Sequence, residues 1–184
     1  ARGYGKLERL FIERKRFDAA SENLAREIYD AGDSAAILLY DPRHSRVVLV
    51  RQFRAPAYLK DGRESLIEVC AGRLEGEDAA SRIVKEAEEE TGYVIQNPRR
   101  VFEAFMSPGC LAEKISFFIA EYDPSLRTGK GGGRAGEDED IEVLEPTLEE
   151  ALAMIASGEI ADAKTIILLF YAKHAGLVPG ACAS

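Results

Sequence analysis

The chain predicts an α/β (α+β) fold, a mixed β-sheet sandwiched between helices, preceded by a β-rich N-terminal segment. Three observations carry that reading. Short apolar runs bounded by Gly, Pro, Asp and Ser recur between residues 34 and 122, the pattern of strands separated by turns. One helical periodicity, residues 78–91, sits among them, and two more close the chain at 147–157 and 163–175. Strands that enclose one helix and are followed by others pack as a sheet between helical layers.

Taken in order, residues 10–17 and 23–29 suit an N-terminal hairpin, the first of them rich in charge. Residues 34–40 and 46–53 are the clearest strands, joined by the turn-forming Asp41-Pro42-Arg43-His44-Ser45. Residues 65–71 read as a strand feeding a loop, and 78–91 as a helix closed by Gly92. Residues 100–105 and 114–122 form a strand pair about Ser107-Pro108-Gly109, and 141–144 a further strand. In 147–157, Leu148, Ala151, Leu152 and Ile155 lie at helical spacing, with Thr147 as N-cap and Glu150 completing a capping box. The last helix, 163–175, is apolar enough to pack deeply and begins beside Lys164. Residues 124–140 read as a flexible, Gly-rich and then acidic loop. Its TGKGGGRAGEDED run is no P-loop, because no Gly-Lys-Ser/Thr at the required spacing opens a helix. A single domain over residues 1–184 accounts for all of it.

Composition removes several function classes. With 184 residues and 46% hydrophobic content there is material for one proper core. A net charge of −8 offers no basic stripe for a nucleic-acid backbone. The apolar stretch 166–172 is too short to span a bilayer, and no signal peptide is visible. Cys70, Cys110 and Cys182 are odd in number and far apart, against a disulfide framework or zinc site and in favour of a reducing cytoplasm. His44 and His174 read as surface residues, too few for a His-dependent triad.

The most informative segment is 71–93, AGRLEGEDAASRIVKEAEEETGY, with five glutamates between residues 77 and 90. Glu86 and Glu90 share one face with Glu89 beside it, so like charges repel by roughly 0.2–0.5 kcal/mol per pair. All three stand in the C-terminal half, where the macrodipole also disfavours them. An acid-rich helix can be simply a solvated face. Here, however, Ala80, Ile83, Val84 and Ala87 form the docking face, Glu88 points away, and the Glu86/Glu90 stripe lies at the edge of the buried surface. A divalent cation there would relieve both penalties, and Mg²⁺ takes carboxylate oxygens while leaving positions for water and phosphate.

From Glu77 onward the spacing resembles the Nudix box, GX5EX7REUXEEXGU with U bulky and apolar. There are two departures: Ala71, not Gly72, falls at the first position because the loop is one residue short, and Lys85 replaces the usual Arg, keeping a cation without the planar fork. Both departures resemble the GDP-mannose hydrolase branch, as do RQFR (51–54), IEVCAG (67–72), MSPG (106–109), FFIAEY (117–122), GEDEDIEVLE (136–145) and Lys164-Thr165. The likeness runs from about residue 4 to 172.

The resemblance implies a Nudix fold and Mg²⁺- or Mn²⁺-dependent hydrolysis of a nucleoside diphosphate sugar, GDP-mannose giving GMP and mannose 1-phosphate. It implies Glu86, Glu90, the Ala71 carbonyl and Glu139 as metal ligands. It puts the general base at Glu139, with Glu89 and Glu137 next. It implies substrate contacts by Arg54, Glu113, Lys164, Glu139 and the Ala71-Gly72 loop, and by Tyr4, Arg26 and Glu27 from an N-terminal segment (1–33) that reaches across a homodimer. Taken alone, Arg54, Glu113 and Lys164 read equally as exposed charges, and Glu137-Asp138-Glu139-Asp140 as a solvated loop tip. Ala25 stands where the family can carry a lysine. Two other functions fit the same box: ADP-ribose hydrolysis, and a nucleotide-sensing module without catalysis. The intact Glu77, Glu86, Glu89 and Glu90 weigh against the second.

Overall fold

A computed structural model describes residues 5–133 and 140–178. Strands β1 (Lys6–Lys15) and β2 (Ser21–Asp30) form an antiparallel hairpin in unbroken register from Lys6 opposite Asp30 to Lys15 opposite Ser21. Strand β2 extends beyond the predicted 23–29 at both ends, and β1 starts four residues before the predicted 10–17 and stops two short of its end, because charged residues on both faces leave no period-two signal to mark the ends. The hairpin is a two-stranded sheet of its own, joined to the rest where Tyr29 bridges Leu111 and its amide donates to the Cys110 carbonyl at 2.8 Å.

The main sheet is built on β3 (Ser34–Asp41), which pairs in parallel with β8 (Lys114–Glu121) on one side. On its other side β3 changes partner. Ser34–Ile37 pair with β6 (Cys70–Arg73), and Leu39–Asp41 with β4 (Arg46–Gln52). Beyond that point β4 pairs with β5 (Leu66–Glu68) and β9 (Glu142–Leu144), while β7 (Arg99–Phe105) completes the β8 side. The predicted single strand 65–71 is therefore two strands that serve different neighbours, and the sheet divides between them.

Helices lie on both faces. Ala36, Leu38, Val47 and Leu49 point toward α3 (Leu148–Ser157) and α4 (Ala163–His174), meeting Leu148, Ala151, Leu168 and Leu169. Their alternates Ala35, Ile37 and Leu39 point toward α2 (Ala79–Thr91), meeting Ile83 and Ala87. A strand buried on both faces reads as a continuous apolar run, as Ala-Ala-Ile-Leu-Leu does here. Each fully buried Ile or Leu contributes about 1.5–3 kcal/mol. Asp78 caps α2 by accepting from the Ser81 amide, and the capping box of Thr147 and Glu150 is present at α3.

One helix went unread. Helix α1 (Ala55–Asp61) has Pro56 in its first turn and Gly62 in the left-handed conformation at its end, both legible signals. With none of its residues buried it lacks the apolar stripe that would have marked it. In the predicted flexible loop, residues 124–126 form a 3₁₀ turn, and the amides of Thr128, Gly132 and Gly133 bond to the end of α2; residues 134–139 lie outside the described residues. Among the described residues no helix is long and apolar enough to cross a membrane.

Candidate active site

Helix α2 buries one edge and exposes the other. Glu86 and Glu90 are 8% and 4% exposed, Glu89 is half-buried, and Glu88 is in solvent. The acids are less isolated than the sequence suggests. Arg82, one turn before Glu86 and itself nearly buried, forms an ion pair with the Glu86 carboxylate and lies 3.8 Å from Glu77. Lys85 turns outward to Glu77 at 2.5 Å. The planar fork missing from position 85 is thus supplied by Arg82, whose i,i+4 spacing to Glu86 was available in the sequence.

Strand β6 packs against this helix at very short range. A Cβ on Gly72 would stand 2.2 Å from Glu86 Oε1, so only glycine lets the carboxylate reach the strand. Cys70, on the same strand, is fully buried. Burial pushes its thiol well up, and the negative field of Glu90, Glu86 and Glu89 pushes it further. Three carboxylates therefore bear on one short strand. Two nearly buried carboxylates a helical turn apart are hard oxygen donors of the kind a divalent cation takes. Among the described residues no three His, Cys, Asp or Glu side chains form a ready metal cluster. A cation held there would take further donors from backbone oxygens or from other residues.

The other side of β6 faces a cleft of about 320 Å³ lined by Ser34, Arg54, Glu68, Ala71, Gly72, Arg73, Glu113, Ile115 and Lys164. It opens where the sheet divides between β5 and β6. Glu68, with a side chain only 4% exposed, holds both flanking cations: Arg54 Nε donates to it at 2.7 Å and Lys164 Nζ at 2.5 Å. Lys164 also reaches Asp162 at 2.9 Å, the N-cap of α4. The Thr165 hydroxyl donates to the same aspartate and accepts from the Val69 amide. Ser34 donates to Glu113 at 2.6 Å. Two positive groups held beside the half-buried strand β6 are donors of the kind that hydrogen-bond phosphate oxygens.

The structure brings Arg54, Ala71, Gly72, Glu113 and Lys164 around one cleft, with Glu86, Glu89 and Glu90 behind β6. Arg26 and Glu27 do not join them. Both are exposed on β2, where the Arg26 guanidinium donates to the Ala25 carbonyl. Tyr4, Glu137 and Glu139 lie outside the described residues. Sequence reasoning passed over Glu68, although IEVCAG contains it: an acid between apolar residues of a buried strand needs partners.

A larger cavity, about 450 Å³, lies at the opposite end of β3 and includes Asp41, Arg43, His44, Glu121, Tyr122 and Asp123. Among the described residues it contains none of the predicted site residues. Beyond Tyr122, the rings of Tyr93 and Tyr122 lie 4.7 Å apart, and both hydroxyls donate to Glu145. Burial and that bond push the Tyr93 hydroxyl up to about 12, so it remains a donor at neutral pH.

A NUDIX domain matches residues 31–168. The GDP-mannose pyrophosphatase of Citrobacter koseri is 52% identical over 155 residues, 83% of this chain and 80% of its own length. Those of Klebsiella pneumoniae and Escherichia coli are 46% and 47% identical, each over 95% of this chain and over 87% and 91% of their own lengths. The matched span contains the helix whose acids press on β6 as well as the cleft on that strand's other side, and the chain belongs to the Nudix hydrolase family.

Proposed function

We propose that the chain hydrolyses the diphosphate of a nucleoside diphosphate sugar, and that GDP-mannose is the substrate, giving GMP and mannose 1-phosphate. The observation that carries the substrate is the 46–52% identity to three proteins named GDP-mannose pyrophosphatase over most of both chains. Nudix hydrolases generally need a divalent cation. We assign Mg²⁺, or Mn²⁺, to Glu86, Glu90 and the Ala71 carbonyl, with Glu139 as a further ligand. Such an ion polarises phosphoryl oxygens and offsets the charge that develops on them.

The chain's own groups supply the rest. Arg54 and Lys164, pre-set by Glu68, take the diphosphate oxygens, so little side-chain freedom is lost on binding. Ala71 and Gly72 offer backbone at close range, and Glu113, held by Ser34, takes a hydroxyl of the substrate. A carboxylate removes the proton of the attacking water, Glu139 first, then Glu89 or Glu137. The new P–O bond forms as the bridging P–O bond breaks, and the two products leave as phosphate monoesters.

Homodimerisation through residues 1–33 is part of the same proposal. Leu7 and Phe11 on β1 are 71% and 81% exposed, more apolar surface than a lone hairpin should carry into water. Arg26, Glu27 and Tyr4 would then act on the partner's substrate. The free thiols of Cys70 and Cys110 suit a reducing cytoplasm.

The test is a panel of GDP-mannose, ADP-ribose, ADP-glucose and dinucleoside polyphosphates with Mg²⁺, scored by monoester release. GDP-mannose should turn over with the highest kcat/KM. Faster ADP-ribose turnover replaces the substrate assignment. Tight nucleotide binding with no hydrolysis of any member replaces the enzyme with a sensor.

A further inference from the structure

A helix leaves its last four carbonyls without partners inside the helix. In α2 the last turn carries acids and no base, so the negative end of the macrodipole falls beside Glu88, Glu89 and Glu90. The relief comes from a segment about forty residues away. Gly92 first turns the chain, its amide donating to the Glu88 carbonyl at 2.9 Å. Then Gly133 donates to the Glu89 carbonyl at 3.2 Å, Gly132 to the Glu90 carbonyl at 2.9 Å, and Thr128 to the Gly92 carbonyl at 2.9 Å.

The approach requires glycine. A Cβ on Gly131 would stand 2.3 Å from the Glu90 carbonyl oxygen, and one on Gly92 would stand 2.2 Å from that of Gly129. Gly131, Gly132 and Gly133 all have positive φ, 69°, 109° and 87°. The glycine run that the sequence presents as low complexity is thus a tertiary cap on the helix of the Nudix box.

The Arg127 side chain braces that cap. Arg127 Nε donates to the Gly129 carbonyl at 3.1 Å and Nη2 to the Lys130 carbonyl at 3.0 Å. Its guanidinium carbon lies 5.2 Å from the centre of the Tyr93 ring, and Nη1 is 3.5 Å from Glu145. Tyr93 follows the Gly92 turn directly and donates to the same Glu145 at 2.9 Å. Arg127 therefore links the glycine run, the residue that leaves α2 and the residue that leaves β9. Two successive carbonyls and a ring face suit a planar fork and not an ammonium.

We propose that Arg127 is a positioning residue: by clamping residues 129–133 onto the C-terminus of α2 it fixes where Glu89 and Glu90 stand. The kinetic part of this inference rests on the hydrolase reading above. The exchange and ion-binding parts do not.

The experiment compares Arg127→Ala and Arg127→Lys with the wild-type chain. Arg46→Ala serves as control, since Arg46 also donates to Glu145, at its backbone carbonyl. In the metal-free protein, amide exchange of residues 89–93 and 128–133 should rise roughly tenfold or more in Arg127→Ala while β3 and β8 stay protected. Mn²⁺ affinity, read from the ion's EPR signal, and kcat should each fall by about 10-fold or more, in the range seen on removing supports behind metal ligands, with KM within about twofold. Arg127→Lys should recover little, and Arg46→Ala should match wild type. Unchanged exchange at 89–93 overturns the proposal. Raised exchange with wild-type Mn²⁺ affinity overturns it too, since the cap would then be structural only, as does an Arg46→Ala protein that behaves like Arg127→Ala. If the wild-type chain releases no product from any nucleoside diphosphate sugar, the functional reading fails while exchange and Mn²⁺ affinity still decide this one.

Discussion

The two ends of β3 invite comparison. At the Ser34 end a cleft of about 320 Å³ has a buried carboxylate, Glu68, holding Arg54 and Lys164. At the Asp41 end a larger cavity of about 450 Å³ also has a buried carboxylate, Asp41, which accepts from the Arg43 and His44 amides and pairs with His44 Nδ1 at 2.5 Å. Size points to the second, chemistry to the first. The cavity sets Arg43 and a histidine against Asp41, Glu121 and Asp123, an acidic lining that repels a diphosphate. In the cleft the buried acid serves to fix two cations beside the backbone of the box loop, with α2's carboxylates one strand away. The two buried carboxylates differ in what they orient: Glu68 sets two cations, Asp41 a turn.

Removing each carboxylate should therefore have different consequences. Glu68→Ala leaves two cations without their shared partner. Folding stability should fall by about 3 kcal/mol, the low end for breaking a buried pair, because Arg54 is 40% exposed and can turn to water. KM for the diphosphate substrate should rise with it, and urea unfolding with steady-state kinetics checks both. A stable Glu68→Ala protein with wild-type KM would remove the distinction between the two ends.

Asp41→Asn should lower stability by about 1.5–3 kcal/mol, the worth of hydrogen bonds to a charged group, and leave turnover unchanged. Burial raises the Asp41 carboxyl, but the bond to His44 and the amides of Arg43 and His44 outweigh it and hold the group below its ordinary value. A carboxyl held low in the folded state stabilises above the unfolded value of about 3.9 and loses that contribution as pH falls through the folded value. Unfolding followed from pH 6 down to pH 2 should show a smaller decline in Asp41→Asn than in wild type. The same decline in both would mean that Asp41 gains nothing from its partners.

Gly72→Ala should show the smallest stability effect, about 1 kcal/mol, because the added methyl meets the movable end of Glu86 rather than backbone. Its effect on turnover should exceed its effect on stability, since the carboxylate it displaces is a proposed metal ligand. Equal, small effects on both would free β6 from its assigned part.

Much of this was legible in the residues. The strands with long apolar runs, β3, β4 and β8, and the helices with caps and clear periodicity, α2, α3 and α4, follow from pattern alone. What escaped was set by neighbours. The division of 65–71 into β5 and β6 is a matter of which strand each half meets, and the hairpin's length comes from backbone pairing between charged, exposed residues. The solvent-facing Glu88 and the packing face of Ile83 and Ala87 could be read from the helical wheel. The partnerships of Glu68 with Lys164 and of Arg127 with Gly129 could not. The first joins residues 96 apart in sequence, and the second depends on a backbone carbonyl that has no letter in the sequence.

GMP release from GDP-mannose, measured side by side for the wild-type chain, Glu90→Gln and Asp41→Asn at saturating Mg²⁺, tests the central claim most directly. Glu90→Gln should lose at least about 100-fold in turnover, the upper range for disturbing a metal ligand's surroundings, while Asp41→Asn stays within about twofold of wild type. Wild-type turnover by Glu90→Gln, or an equal loss in Asp41→Asn, would contradict it.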